Sequence, residues 1–300
     1  MQLIDSLQAG NAAARTLRRD LHAHPELRFE EHRTSDLVAR VLAGLGIEVH
    51  RGLGGTGLVG VIRAGQSRRS IGLRADMDAL PMQEVNTFEH RSRFDGRMHA
   101  CGHDGHTAML LAAAGHLATT RCFDGTVYLI FQPAEEGGAG ARRMIEDGLF
   151  DRFPAEAVFA LHNWPGFPFG QFVALPGPVM ASTNEFDIRV RGLGGHAAMP
   201  HLAHDPVLCA AQIVQGLQSI VSREKDPARS AVLSVTRLRA GEAINAIPDE
   251  AQIAGTVRTF DDATTSLFET RISTFIESTS STALAGTQAA PRPARLAKRG

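Results

Sequence analysis

Cysteine is scarce. Cys101, Cys122 and Cys209 form an odd, scattered set without disulfide-like spacing, which points to a reducing compartment rather than a secreted framework. Long apolar runs are missing as well: stretches such as "AMLLAAAGHLA" fall short of the roughly 18 residues of a membrane helix and carry a histidine, so no membrane span is expected. The amino terminus "MQLIDSLQAG" holds an acid and no basic segment, so it does not read as a signal peptide, and a cytoplasmic location is expected. Neither sign of charge dominates. Thirty-one Lys plus Arg face 32 Asp plus Glu, for a net charge of -1, which argues against nucleic acid or a membrane surface as partner and for a small-molecule ligand.

What is present is an ordinary globular composition, 43% hydrophobic over 300 residues, enough for one large domain or two smaller ones. "LIDSLQAGNAAARTLRRDLHAH" and "EEHRTSDLVARVLAGLG" carry helical periodicity and are stopped by Pro25 and Gly46. The β-rich runs "GLVGVIRA", "SIGLRADM", "GTVYLIFQ" and "AVFALHNW" follow, with helices "GHTAMLLAAAGHLA" and "AGARRMIEDGLF" between the later ones. Such alternation predicts an α/β sheet covered on both faces, with ligand chemistry at the carboxyl ends of its strands. The texture changes near Pro178, beyond which the pattern β-α-β-β-α resembles most of a ferredoxin-like α+β module without an evident closing strand. From residue 278 the chain loses periodicity and all its charges are basic, so residues 278–300 are expected to be a disordered tail.

The chemistry concentrates in "MHACGHDGHTAMLLAAA". Cys101 and His103 are two residues apart and in an extended segment would project to the same side, as a chelating pair would. The plainer reading is a polar helix start in which Asp104 caps the helix and the histidines are satisfied locally. "FQPAEEGG" places Glu135 and Glu136 where a strand meets the sheet edge, and like-charged neighbours there call for a cation between them. One carboxylate can then ligate while the other accepts a proton from water, the division of labour of metal-assisted hydrolysis. His162 of "ALHNWPG" would be a third donor type at that edge, and Asp78 of "RADMDALP" could receive the second N–H of a ligating histidine. A solvated turn, a structural histidine and strand-terminal carboxylates are the corresponding plain readings. His99 and His106 read as structural histidines or as supports for the ligands.

Taken together and in order, "DLHAHPELRFEE", "GLRADMDALPMQE", "MHACGHDGHTAMLLAAA", "FQPAEEGGAGARRMI", "ALHNWPG", "GGHAAMPH" and "INAIPDEAQIAGTVRTF" resemble the bacterial hippurate hydrolase family. The plant-type indoleacetyl-amino-acid amidohydrolases belong to the same group, within the metallo-aminoacylase and carboxypeptidase superfamily. The resemblance implies a zinc-peptidase-like catalytic α/β domain with an inserted ferredoxin-like lid that also mediates homodimerisation. It implies two divalent ions, Zn, Mn, Co or Ni, held by Cys101, His103, Glu136 and His162, with Glu135 as general base. His196 would polarise the scissile carbonyl, Asn245 and Arg258 would bind the substrate's carbonyl or carboxylate, and the substrate would be an N-acyl amino acid. On this reading residues 1–177 are the N-terminal part of the catalytic domain and residues 178–277 the lid. The family continues past this point and supplies a last histidine ligand, whereas no histidine follows His204 here. The expectation is therefore a C-terminally truncated chain that lacks the rest of the catalytic domain, and either hydrolyses amides or is an impaired remnant. A third reading makes Cys101 a nucleophile with His103 as base, but it leaves Glu135, Glu136 and His162 without a task.

Overall fold

A computed structural model describes residues 10–283 and 297–299, with side chains over residues 10–279. Residues 3–9 of the first expected helix, and residues 284–296 and 300 of the expected tail, lie outside this range. The chain divides into two compact units, Met1–Gln171 and Phe172–Gly300, a boundary slightly before the Pro178 expected from sequence texture.

The first unit opens with α1 (Asn11–Ala23) and α2 (His32–Gly44). In α2 the buried residues Thr34, Ser35, Val38 and Leu42 recur at helical spacing, which sets the face it turns inward. Strands β1 (Glu48–Leu53), β2 (Gly57–Ala64) and β3 (Ser70–Asp76) follow, then α3 (His103–Thr120), β4 (Gly125–Gln132), α4 (Gly140–Glu146), α5 (Leu149–Arg152) and β5 (Ala157–Ala160). They build a mixed sheet of order β1-β2-β4-β3-β5, antiparallel at β1/β2 and β2/β4 and parallel at β3/β4 and β3/β5.

Both faces are covered, as the strand and helix alternation implies. Val38, Leu42, Leu110, Leu111 and Phe131 anchor one core, and Val59, Tyr128, Met144 and Phe153 the other. Two details differ from the sequence expectation. "EVHRGL" was not expected as a strand; it is held as the sheet's edge by antiparallel pairing with β2. "AGARRMIEDGLF" is two helices rather than one, because Gly148 takes φ 86°, a left-handed conformation that ends α4 and starts α5.

The second unit contains β6 (Ser182–Arg191), β7 (Gly195–His196), α6 (Pro206–Ser219), β8 (Ala231–Ala240), β9 (Ala246–Ile247), β10 (Glu250–Thr259), α7 (Asp262–Ala283) and β11 (Ala297–Arg299). Asp205 caps α6 by accepting from the Val207 and Leu208 amides at 2.8 and 3.3 Å, with Pro206 at the first helical position. The antiparallel sheet runs β11-β6-β10-β8. Its core joins Phe186, Ile188 and Val190 of β6 and Ile253 of β10 to Ile213 and Leu217 of α6 and Phe268 and Ile272 of α7.

The expected disordered tail from 278 is corrected at both of its described parts. α7 continues to Ala283, and in this Ser/Thr-rich helix hydroxyls of Ser273, Thr274 and Ser278 donate back to the carbonyls of Glu269, Thr270 and Phe275. Residues 297–299 form β11 along β6, with Lys298 opposite Asn184. They take up backbone groups that an edge strand would leave unpaired and supply the closing strand missing from the sequence pattern.

Candidate metal centre

Strand register assembles the site. Asp76 lies opposite Gln132 and Arg74 opposite Ala160, so the chain leaves β3, β4 and β5 at one edge and carries Asp78, Glu135, Glu136 and His162 there. α3 starts at the same edge, tied by the Thr107 hydroxyl donating to the Asp76 carbonyl oxygen at 2.9 Å.

Cys101, His103 and His162 each offer a ligand atom within 4.8 Å of the others, and so do His103, Glu135 and Glu136. His103 is common to both groups. Cys101 Sγ lies 3.5 Å from His162 Nε2. The Cys-x-His segment is not extended: Gly102 adopts φ 87°, ψ 22°, and this left-handed turn, rather than strand geometry, brings the two side chains together. A Cβ at Gly102 would also meet the Asn163 side chain at 2.6 Å.

His103 is completely buried, and neither ring nitrogen makes a well-formed hydrogen bond. Nδ1 stands 3.3 Å from Asp78 Oδ1, and Nε2 stands 3.7 Å from Asp76 Oδ2 and 3.9 Å from Glu136 Oε1. Burial opposes a charge on the ring, but Asp78, Cys101 and Asp76 outweigh it and push its pKa up to about 11. The carboxylates around the ring make this a site of negative potential, which favours positive charge. Thiolate, imidazole and carboxylate are the donors that Zn and its first-row neighbours accept, so the buried, underused His103 and its surroundings fit a divalent metal centre. Burial, then Glu136 and Asp76, raise the pKa of Glu135, which makes its carboxylate a stronger base than an ordinary glutamate.

Around these groups the structure places supports that pair with one another. Asp78 accepts the Glu135 and Glu136 amides, both at 2.9 Å, while facing His103. Asp76, His103 and His106 also converge, but Asp76 and His106 are already engaged. His106 Nδ1–H donates to Asp76 Oδ1 at 2.6 Å, and Arg74 Nη1 stands 2.8 Å from Asp76 Oδ2. Despite burial, His106 and Arg74 thereby hold Asp76 ionised well below the usual carboxylate range. His106 Nε2 accepts the Asn163 amide at 3.0 Å, and His162 Nδ1 in turn lies 2.6 Å from the Asn163 carbonyl oxygen, so His106 fixes the loop that carries His162.

Asp104 does not cap α3. Gly102 occupies the cap, and the Asp104 carboxylate turns back to α1, accepting from Arg18 Nε at 3.2 Å and His22 Nδ1 at 3.0 Å. His99 is buried with neither ring nitrogen hydrogen-bonded, and desolvation pulls its pKa down to about 4, which keeps it neutral.

The remaining expected residues belong to the second unit. His196 is exposed in β7, opposite Ala246 of β9, and the Asn245 carbonyl accepts the Ala197 amide at 3.0 Å, so His196 and Asn245 are neighbours through backbone pairing. Arg258 is exposed on β10 and donates to Thr183 Oγ1. Sequence reasoning passed over Glu31 and Asn163. Glu31 is a fully buried acid within the family-like stretch "DLHAHPELRFEE", and Asn163 directly follows His162, yet neither has a local pattern that announces its long-range partner.

Residues 72–268 match the model of Peptidase family M20/M25/M40. The chain is 46% identical over 272 residues to a hippurate hydrolase of Campylobacter jejuni, covering 91% of this chain and 71% of that protein. It is 45% identical over 246 residues to an N-acetylcysteine deacetylase of Bacillus subtilis, covering 81% of this chain and 64% of that protein. The crystal structure of a dinuclear metal binding peptidase from the M20 family of Bacillus subtilis superposes with a TM-score of 0.79 at 36% identity, covering 97% of this chain and 75% of the other. With a matching family model over most of its length and a converging set of metal-binding side chains at the strand ends, this chain belongs to the M20/M25/M40 peptidase family.

Proposed function

We propose that this protein hydrolyses the amide bond of N-acyl amino acids of the hippurate type, using two divalent ions, Zn, Mn, Co or Ni. The observation that carries the reading is His103, buried without satisfied ring nitrogens at the junction of two ligand groups. Cys101, His103, Glu136 and His162 would hold the ions. The dinuclear description of the Bacillus subtilis neighbour and the substrates named for the hippurate hydrolase and deacetylase relatives support the same assignment. When bound, the ions supply Lewis acidity toward water and the amide carbonyl. Glu135, with its raised pKa, takes the proton from the attacking water and returns it to the leaving amine. Asp78 keeps His103 oriented while holding the backbone of Glu135 and Glu136.

On the same proposal His196 polarises the scissile carbonyl, and Asn245 and Arg258 bind the substrate's carbonyl or carboxylate. Residues 178–277 act as lid and homodimer interface in a cytoplasmic enzyme. The dimer is supported by β8, a free sheet edge among the described residues, with Val232 and Leu238 about half exposed, and by exposed Val207 and Leu208 on α6. Among the described residues no helix is long and apolar enough to cross a membrane.

The test is metal content together with hippurate turnover after loading with Zn, Mn or Co. Two ions per chain, turnover abolished by chelation and little effect of thiol alkylation on the loaded protein are expected. A Cys101 nucleophile would instead give indifference to chelators, and an impaired remnant would give neither full metal content nor turnover.

A further inference from the structure

The turn that presents Glu135 and Glu136 is not held by its own side chains. Ala134 stands at φ 50°, ψ 46°, Gly137 at φ 70° and Ala139 at φ 53°, while Glu136 is non-helical at ψ 76°. The left-handed region is disfavoured for alanine, whose Cβ crowds the following carbonyl oxygen, so this backbone needs an external restraint. Three successive amides, of residues 134, 135 and 136, find that restraint in two buried carboxylates. Glu31 Oε1 accepts the Ala134 amide at 2.8 Å, and Asp78 accepts the next two. The other Glu31 oxygen is engaged by the Thr56 hydroxyl, and Glu31 has no exposed surface. Glu31 stands at the N-cap of α2, but its side chain does not cap that helix; its carboxylate is turned instead toward β4 and the strand-end turn.

We propose that Glu31 is a positioning residue for the Glu135–Glu136 turn, clamping with Asp78 the backbone that aims the base and its neighbouring ligand. The inference rests on the proposed roles of Glu135 and Glu136. It assigns to Glu31 a geometric task rather than an electrostatic one. Burial and the nearby Asp78 raise its pKa, against the Thr56 and Ala134 hydrogen bonds. A neutral acid can keep both partners, by accepting from Ala134 N–H and donating to Thr56 Oγ1. A glutamine can do the same, whereas an alanine leaves the Ala134 amide buried and unpaired.

The test compares the full-length wild type with Glu31→Gln and Glu31→Ala by cobalt(II) titration with the visible spectrum, by kcat and KM on hippurate, and by amide exchange over residues 134–137. Glu31→Gln is expected within about twofold of wild type. Glu31→Ala is expected to bind cobalt about 10–100-fold more weakly with an altered spectrum, as loss of outer support for a ligand does. It should also lose kcat about tenfold or more at little-changed KM, and exchange the 134–136 amides faster.

An alanine variant with wild-type affinity, spectrum and exchange overturns the inference, as does a glutamine variant as impaired as the alanine. Should Glu31→Ala not fold, Thr56→Val, which removes only the hydroxyl partner, should move the same readouts less far, and no movement counts against the clamp. A wild type that neither binds cobalt nor turns over hippurate refutes the functional reading instead. Amide exchange then still decides the clamp, faster exchange in the alanine than in the glutamine variant upholding it and equal exchange overturning it.

Discussion

Single residues divide by whether chemistry or support is asked of them. Glu135 sits beside Glu136 with burial and like charge raising its pKa, which suits a proton acceptor. Glu135→Gln is expected to cut hydrolysis by about 10²–10⁴-fold while leaving metal content unchanged, checked by turnover beside elemental analysis. His22 shows the support role. Asp104 at 3.0 Å and Glu84 at 3.1 Å hold it protonated above its ordinary 6.5, against burial. Its folded pKa is raised, so its contribution to stability is fully present below about pH 6.5 and is lost as pH rises through the folded value. Denaturant unfolding of wild type should therefore lose stability on going from pH 6 to pH 9, and His22→Gln should lose less over the same interval. A variant with the wild-type slope would show that the pairing carries no linked proton. Cys101, His103, Glu135, Glu136 and His162, whose ligand atoms the structure gathers into candidate groups, could be read as candidates from residue type and position, because chelating side chains carry their chemistry in the local sequence. Glu31, Asn163 and the true partners of Asp104 and His106 were not, since each pairing spans tens of residues.

At the scale of elements, the junction between the loop carrying Cys101 and α3 matters most. Gly102 combines a left-handed φ of 87° with direct contact to the loop that bears His162. Gly102→Ala is expected to destabilise the fold by about 1 kcal/mol or more from the backbone conformation alone. It should also weaken metal binding by displacing Asn163, so the variant should show both a lower denaturation midpoint and a higher metal dissociation constant. A change in stability without a change in metal affinity would separate Gly102 from the site. Most helices and the buried strands lie where the apolar pattern places them, the split of α4 from α5 at Gly148 excepted. Elements set by pairing did not: β1 exists through β2 and β11 through β6, while α7 runs on to Ala283, past the end of the apolar pattern.

For the whole molecule, the two units have separate cores, and the ligand groups found among the described residues all belong to the first. The chain's one tryptophan, Trp164, also lies there, with its ring 5.9 Å from that of His162. Metal at about 100 times its dissociation constant should stabilise the first unit by about 2.7 kcal/mol per site. Heating followed by tryptophan fluorescence should then show an upward shift on adding zinc and a downward shift on chelation. A fluorescence transition indifferent to zinc would contradict a metal centre at His162. The sequence by itself determined the α/β alternation, the separate β-α-β-β-α module and which side chains are candidate metal donors, because periodicity and side-chain chemistry are local properties. Only the tertiary structure decided how the donors are held: the register that aligns three strand ends, the left-handed turns at Gly102 and Ala134, and the buried carboxylates that clamp them. Those depend on backbone groups finding partners far along the chain, which no local pattern of residues encodes.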